Sequence, residues 1–181
     1  MSAQAFVVAL LGAESTGKTT LAAELGATLA ARGLRVEIVA EVLREFCDTH
    51  GRTPRRDEQA AIAAAQTAHI DAAAARAEIV VADTTALMVA VYSDLVFGDR
   101  SLYAGAIAAQ RGVDLTLVTA LDLPWRADGL QRDGAHVREP VDALLRAALA
   151  RAGAVVATVG GVGSDRLDAA LRLLEAALAT R

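Results

Sequence analysis

The stretch Gly12-Ala13-Glu14-Ser15-Thr16-Gly17-Lys18-Thr19 constrains this chain more than any other. It satisfies the pattern G-x-x-x-x-G-K-[ST] at every fixed position. Its flanks agree with it. The apolar run Ala5-Phe6-Val7-Val8-Ala9-Leu10-Leu11 before it has the length and β-branched content of a buried strand. Thr20-Leu21-Ala22-Ala23-Glu24-Leu25 after it continues to Arg32, with Leu21, Leu25 and Leu29 at helical spacing. Strand, glycine-bearing loop and helix in that order form an anion cradle. Gly12 and Gly17 let the backbone turn tightly and aim its N–H groups inward. The following helix adds unpaired donors and the positive end of its dipole.

Such a cradle takes the phosphates of a nucleotide. Lys18 is expected to reach the β- and γ-phosphates of ATP, and the Thr19 hydroxyl to ligate Mg²⁺. The expected nucleotide contacts are Gly12, Ala13, Glu14, Ser15, Thr16, Gly17, Lys18, Thr19 and Thr20. Composition sharpens this. Lys18 is the chain's single lysine, so every other side-chain positive charge available to a phosphate is a guanidinium. With a net charge of −4 and no dense basic run, a nucleic-acid footprint is not expected. Aromatics make up 3%, too few for stacking platforms on single strands.

Cys47 is alone, and His50, His69 and His136 have no metal-ligand spacing, which argues against disulfides and zinc clusters. No basic n-region precedes the first strand, and no apolar run approaches the ~20 residues of a membrane span. A cytoplasmic protein is the expectation. At 181 residues the size prior is one domain, residues 1–181.

The rest of the chain alternates. Strands are expected at 5–11, 34–40, 78–82, 114–121 and 154–159. Helices are expected at 17–32, 42–50, 58–77 (capped by Asp57), 84–95, 101–111, 140–152, and from Ser164 or Asp165 to Ala179. This alternation predicts an α/β fold, a five-stranded parallel sheet flanked by helices in three layers. Ligands in such folds lie at the carboxyl ends of the strands. The informative residues are therefore those that follow each strand.

Asp83 follows Ile79-Val80-Val81-Ala82. It reads as a metal-shell carboxylate beside Thr19, or as the N-cap of the next helix; both can hold together. Glu41 ends the second strand, with Arg44 three residues on. It reads either as a base for an acceptor hydroxyl, with Arg44 holding a phosphate or the carboxylate, or as an ordinary cap with a surface ion pair. Residues 122–139 read as a lid. Arg126, Arg132 and Arg138 stand there among Asp and Glu, with Gly129 and Gly134 as hinges. Phosphoryl transfer needs such cations, and a closed lid excludes water. The expected catalytic set is Lys18, Glu41, Asp83, Arg126 and Arg132. The metal set is Thr19 and Asp83, and the acceptor set is Glu41, Arg44, Asp83 and Arg138.

The phosphate loop, Glu41-Val42-Leu43-Arg44-Glu45-Phe46, Ala82-Asp83-Thr84-Thr85 and Asp122-Leu123-Pro124-Trp125-Arg126-Ala127-Asp128-Gly129-Leu130 together resemble the ribosylnicotinamide kinase domain of bacterial NAD-regulatory proteins. The resemblance runs from about residue 6 to about residue 175. It implies a P-loop kinase fold phosphorylating nicotinamide riboside or a related nucleoside with ATP and Mg²⁺. It also implies acidic active-site positions at Glu41 and Asp83, and Arg44 in the substrate region. Where that family's third-strand motif usually reads Asp-Thr-Asp, this chain has Asp83-Thr84-Thr85, and Ala40 precedes Glu41 where a stacking aromatic would stand. No His-x-x-His or His-x-Gly-His nucleotidyl motif occurs within these residues. The alternative function is a P-loop ATPase or nucleotide-dependent switch acting with a protein partner.

Overall fold

A computed structural model describes residues 4–127 and 134–180. Its centre is a five-stranded sheet in the order β2-β3-β1-β4-β5, made of β1 (Phe6–Leu11), β2 (Val36–Val39), β3 (Ile79–Asp83), β4 (Leu115–Thr119) and β5 (Val156–Val159). All pairings are parallel. The central strands β1, β3 and β4 are buried along their whole length, as their continuous apolar runs require. The edge strands β2 and β5 have four residues each and are partly exposed.

Side chains alternate across the sheet. From β1, Phe6, Val8 and Leu10 face α1 (Lys18–Ala31) and α7 (Ser164–Leu178), packing with Leu21, Leu25, Leu171 and Leu174. Val7, Ala9 and Leu11 face the opposite layer. That layer holds α2 (Val42–His50), α3 (Gln59–Ala74), α4 (Ala86–Phe97), α5 (Tyr103–Gln110) and α6 (Arg138–Ala152). The three-layer α/β architecture agrees with the expectation from strand–helix alternation. Residues Ala86 to Val91 of α4 are all buried, because that helix is wedged between α3, α5 and α6. Among the described residues no helix is long and apolar enough to cross a membrane.

Several boundaries differ from the sequence reading, each for a local reason. Asp57 does not cap the third helix. A 3-10 turn, Arg56–Glu58, intervenes, and Glu58 organises it by accepting the Arg55 N–H at 2.7 Å and both Arg52 Nη groups at 2.7 Å. Neither Ser164 nor Asp165 caps the last helix; Gly163 occupies that position and makes no side-chain cap bond. The sixth helix starts at Arg138 rather than at 140, so the upper end of the expected lid is helical. Of that lid, 128–133 lie outside the described residues, and Arg132 with them.

Gly26 lies inside α1 because the helix meets β2 closely there. A Cβ at Gly26 would stand 2.4 Å from Ile38 Cδ1 and 2.7 Å from Cγ1. Alanine otherwise favours a helix interior over glycine by about 1 kcal/mol. Gly26→Ala should therefore lower the melting temperature in the native background and raise it in an Ile38→Ala background. A gain in both backgrounds would show that the packing of α1 on β2 does not require glycine.

Candidate active site

The parallel sheet puts the carboxyl ends of β1 and β3 side by side. Leu10 is registered with Asp83, and the Thr84 N–H donates to the Leu10 carbonyl at 3.1 Å. The loop after β1 and the acid ending β3 are thus neighbours through backbone pairing alone. The loop itself is shaped by two glycines. Gly12 has φ 150°, and a Cβ there would lie 2.2 Å from Thr119 Oγ1. Gly17 has φ 77°, in the left-handed region that glycine tolerates, and opens α1. The Thr16 hydroxyl donates to the Ala13 carbonyl at 2.8 Å and accepts from Thr119 Oγ1 at 2.7 Å. The loop is therefore closed from inside, and its backbone faces outward.

The Lys18 ammonium folds over this loop and donates to the Ala13 carbonyl at 2.9 Å. Burial in the protein pulls its pKa below the ordinary lysine value, while the charges of Glu41 and Asp83 push it back up. Glu41 is affected in the opposite direction. Burial pushes its carboxyl above the usual range, and the Lys18 ammonium pulls it back. Arg44 stands 3.7 Å from the Glu41 carboxylate.

The two acids differ in what their side chains contact. Helix α4 is capped by Thr85, whose hydroxyl accepts the Leu87 N–H at 3.3 Å, so Asp83 is not needed as its cap. Asp83 instead accepts the Thr19 hydroxyl at 2.5 Å through Oδ2. Its Oδ1 is buried with no hydrogen-bond partner. A hydroxyl and a carboxylate with a spare buried oxygen form a donor set of the kind Mg²⁺ accepts. Helix α2 likewise has Glu41 at its cap position without a side-chain cap bond.

These groups surround a cleft of about 720 Å³. Gly12, Glu14, Ser15, Thr16, Gly17, Lys18, Thr19 and Thr20 line one side, and Ala13 is buried beneath them. Glu41 and Arg44 line the other side, and Asp83 lies under the floor next to Thr84. Arg126 is exposed at the rim. Its backbone N–H donates to Ser15 Oγ at 2.8 Å, and that hydroxyl donates to the Arg126 carbonyl at 3.1 Å. Arg138 was expected among the acceptor contacts but is buried at the head of α6 and does not line the cleft. Its Nη1 donates to the Leu123 carbonyl at 2.9 Å, which fixes the base of the 122–127 segment.

Two groups of residues were missed in the sequence. Met88 and Tyr92 of α4, one helical turn apart, form a wall of the cleft together with Cys47 and Asp48 of α2. The i, i+4 spacing was legible, but in a helix apolar except at Ser93 and Asp94 it carries little direction. Arg166 of α7 is 5% exposed. Its Nη1 donates to the Thr16 carbonyl and its Nε to the Gly161 carbonyl at 2.8 Å, and Nη2 pairs with Asp122 Oδ1. The other Asp122 oxygen accepts the Gly161 N–H at 2.7 Å. One guanidinium thus ties the phosphate loop, the loop after β5 and the start of the 122–127 segment together.

Comparison with known proteins accords with this arrangement. The AAA domain family profile matches residues 7–166. The chain belongs to that family. No curated protein sequence matches it. The crystal structure of NadR protein in complex with NR superposes with a TM-score of 0.74 at 24% identity, over 94% of this chain and 50% of that chain. The chain therefore spans about half the length of that relative. The likeness bears out, at the level of the fold, the resemblance carried by the motifs.

Arg166→Leu should lower both the melting temperature and ATP affinity, because it leaves the Thr16 and Gly161 carbonyls and Asp122 without their common donor. Arg126→Ala, at an exposed side chain, should shift stability by less than about 0.5 kcal/mol. Thermal unfolding and ATP titration of both variants check this. Unchanged ATP affinity in a folded Arg166→Leu protein would show that the phosphate loop holds its shape without the clamp.

Proposed function

We propose that the protein is an ATP- and Mg²⁺-dependent kinase for a small molecule, nicotinamide riboside or a related nucleoside. The observation that carries this is the position of Glu41. A second carboxylate lines the cleft on a different strand end from the metal-type acid, beside an apolar wall with an aromatic ring. A nucleotide switch has no need of such a second compartment. Tyr92, Met88 and Cys47 suit a planar base, while Arg44 and Asp48 suit polar groups of the acceptor. The likeness to NadR, whose solved complex holds NR, supports the same acceptor class.

In this reading Thr19 and Asp83 would hold Mg²⁺, which would supply a positive charge to the phosphate oxygens. Lys18 leaves the Ala13 carbonyl for the transferring phosphoryl group, and its charge is kept by the neighbouring carboxylates. Arg126 adds a guanidinium from the rim, and Arg132 is proposed for the same task. Glu41 orients the acceptor hydroxyl. As the new O–P bond forms and the bond to the ADP leaving group breaks, the hydroxyl proton passes to the Glu41 carboxylate. The AAA description of the family favours a second reading, an ATPase or switch module serving a protein partner.

ATP turnover with and without nicotinamide riboside and other nucleosides separates the two. Stimulation by a nucleoside supports the kinase; hydrolysis indifferent to all of them supports the switch. Glu41→Gln should lower phosphorylation about 10²–10⁴-fold, the usual worth of a positioned base, with ATP affinity retained. Asp83→Asn should impair every Mg²⁺-dependent reaction of the nucleotide. The pH dependence has a definite sign. A base must be ionised, and burial raises the Glu41 pKa. The rate should therefore rise with pH through a value above the usual carboxylate range, and that limb should vanish in Glu41→Gln. Wild-type phosphorylation by Glu41→Gln would remove Glu41 from the reaction.

A further inference from the structure

Gln66 of α3 is 1% exposed and lies outside every motif of the sequence. A buried amide needs partners, and Gln66 has two. Its Oε1 accepts the Val42 N–H at 2.8 Å. Its Nε2 donates to the Ala40 carbonyl at 3.2 Å. Those two backbone groups bracket Glu41. They belong to the residue after β2 and the first residue of α2, so Gln66 bridges the strand–helix junction on which the candidate base stands.

The consequence lies in the helix start. A residue at the N-cap ordinarily uses its own side chain to satisfy a first-turn N–H. Glu41 holds that position with extended backbone, φ −72° and ψ 110°, yet its side chain makes no cap bond. Gln66 accepts from Val42, the first helical residue, whose N–H lies short of the second- and third-residue donors that a cap side chain takes. The Glu41 carboxylate lines the cleft, and the charges acting on it are Lys18 of α1, Asp83 of β3 and Arg44 of its own helix. The amide is the group that suits both bonds. A leucine supplies neither an acceptor nor a donor, a glutamate lacks the donor, and an asparagine is one methylene short.

We infer that Gln66 is a positioning residue for Glu41: by holding the Ala40 carbonyl and the Val42 N–H from α3, it fixes the backbone from which the Glu41 carboxylate reaches the acceptor. This rests on the proposed role of Glu41 as the acceptor's base. Without Gln66, the backbone groups on both sides of Glu41 lose their partner, and the strand–helix junction that carries the carboxylate is free to shift. A base displaced by about an ångström loses on the order of 10² in rate.

The test is a double-mutant cycle read on phosphorylation of nicotinamide riboside by Mg-ATP, with ATP affinity and melting temperature measured on each protein. The variants are Gln66→Leu, Gln66→Met as an unbranched alternative, Glu41→Gln, and Gln66→Leu combined with Glu41→Gln. The expected result is a kcat about 10²-fold lower in Gln66→Leu with ATP affinity unchanged, and no further loss when it is added to Glu41→Gln. A full, independent loss in the Glu41→Gln background would overturn the inference, because Gln66 would then act on more than Glu41. So would ATP affinity falling in step with kcat, or failure of both Gln66 variants to fold. If Glu41→Gln is impaired while Gln66→Leu and Gln66→Met are as active as the wild type, the inference falls and the reading of Glu41 stands. A silent Glu41→Gln overturns that reading, and the positioning role with it.

Discussion

The carboxyl end of the sheet is arranged around one cation, the Lys18 ammonium. Taking an ammonium out of water disfavours its charge, and burial does pull the Lys18 pKa down. The counterweight is the pair of acids that end neighbouring strands, Glu41 after β2 and Asp83 at the end of β3. Glu41 depends on the cation in turn, since Lys18 is the main influence holding its half-buried carboxyl down.

Glu41 lines the cleft and Asp83 lies beneath it, and neither side chain caps the helix that follows. A strand-end acid preceding a helix is a natural cap for that helix. Here the cap of α4 is made by Thr85 rather than Asp83, and Gln66, reaching across from α3, holds the backbone on both sides of Glu41. Asp83 is then available to the Thr19 hydroxyl, and Glu41 to Lys18 and Arg44. On the other side of the phosphate loop, Arg166 plays a comparable part. Its single guanidinium fixes carbonyls from two loops and one carboxylate, so the Thr16 backbone and the Asp122–Ala127 segment share one anchor.

Much of this architecture was legible in the residues. Buried parallel strands are continuous apolar runs, which is why β1, β3 and β4 stood out, and the phosphate-loop spacing placed the first helix to within a residue. Ends were less legible. Asp57 had the right chemistry for a cap, but Glu58 takes that part because Arg52 and Arg55 converge on it. Arg138 had the right chemistry for a phosphate clamp, yet it begins a helix and is buried against the base of the 122–127 segment. Tyr92 was hidden because α4 is apolar except at Ser93 and Asp94, which leaves too little periodicity to show which face meets the cleft.

By itself the sequence determined the phosphate loop, the order of strands and helices, and hence a parallel sheet with its informative residues at the strand ends. Those follow from local pattern: turn chemistry at fixed offsets, and hydrophobic periods of two and 3.6 residues. Only the tertiary structure decided which acid faces the cleft, what caps each helix, and which arginine serves the site. The deciding bonds join residues far apart in the chain: Val42 with Gln66, Thr19 with Asp83, Thr16 with Arg166. A hydrogen bond between distant residues exists only once the sheet has brought their elements together, and it leaves no spacing in the sequence by which it can be read.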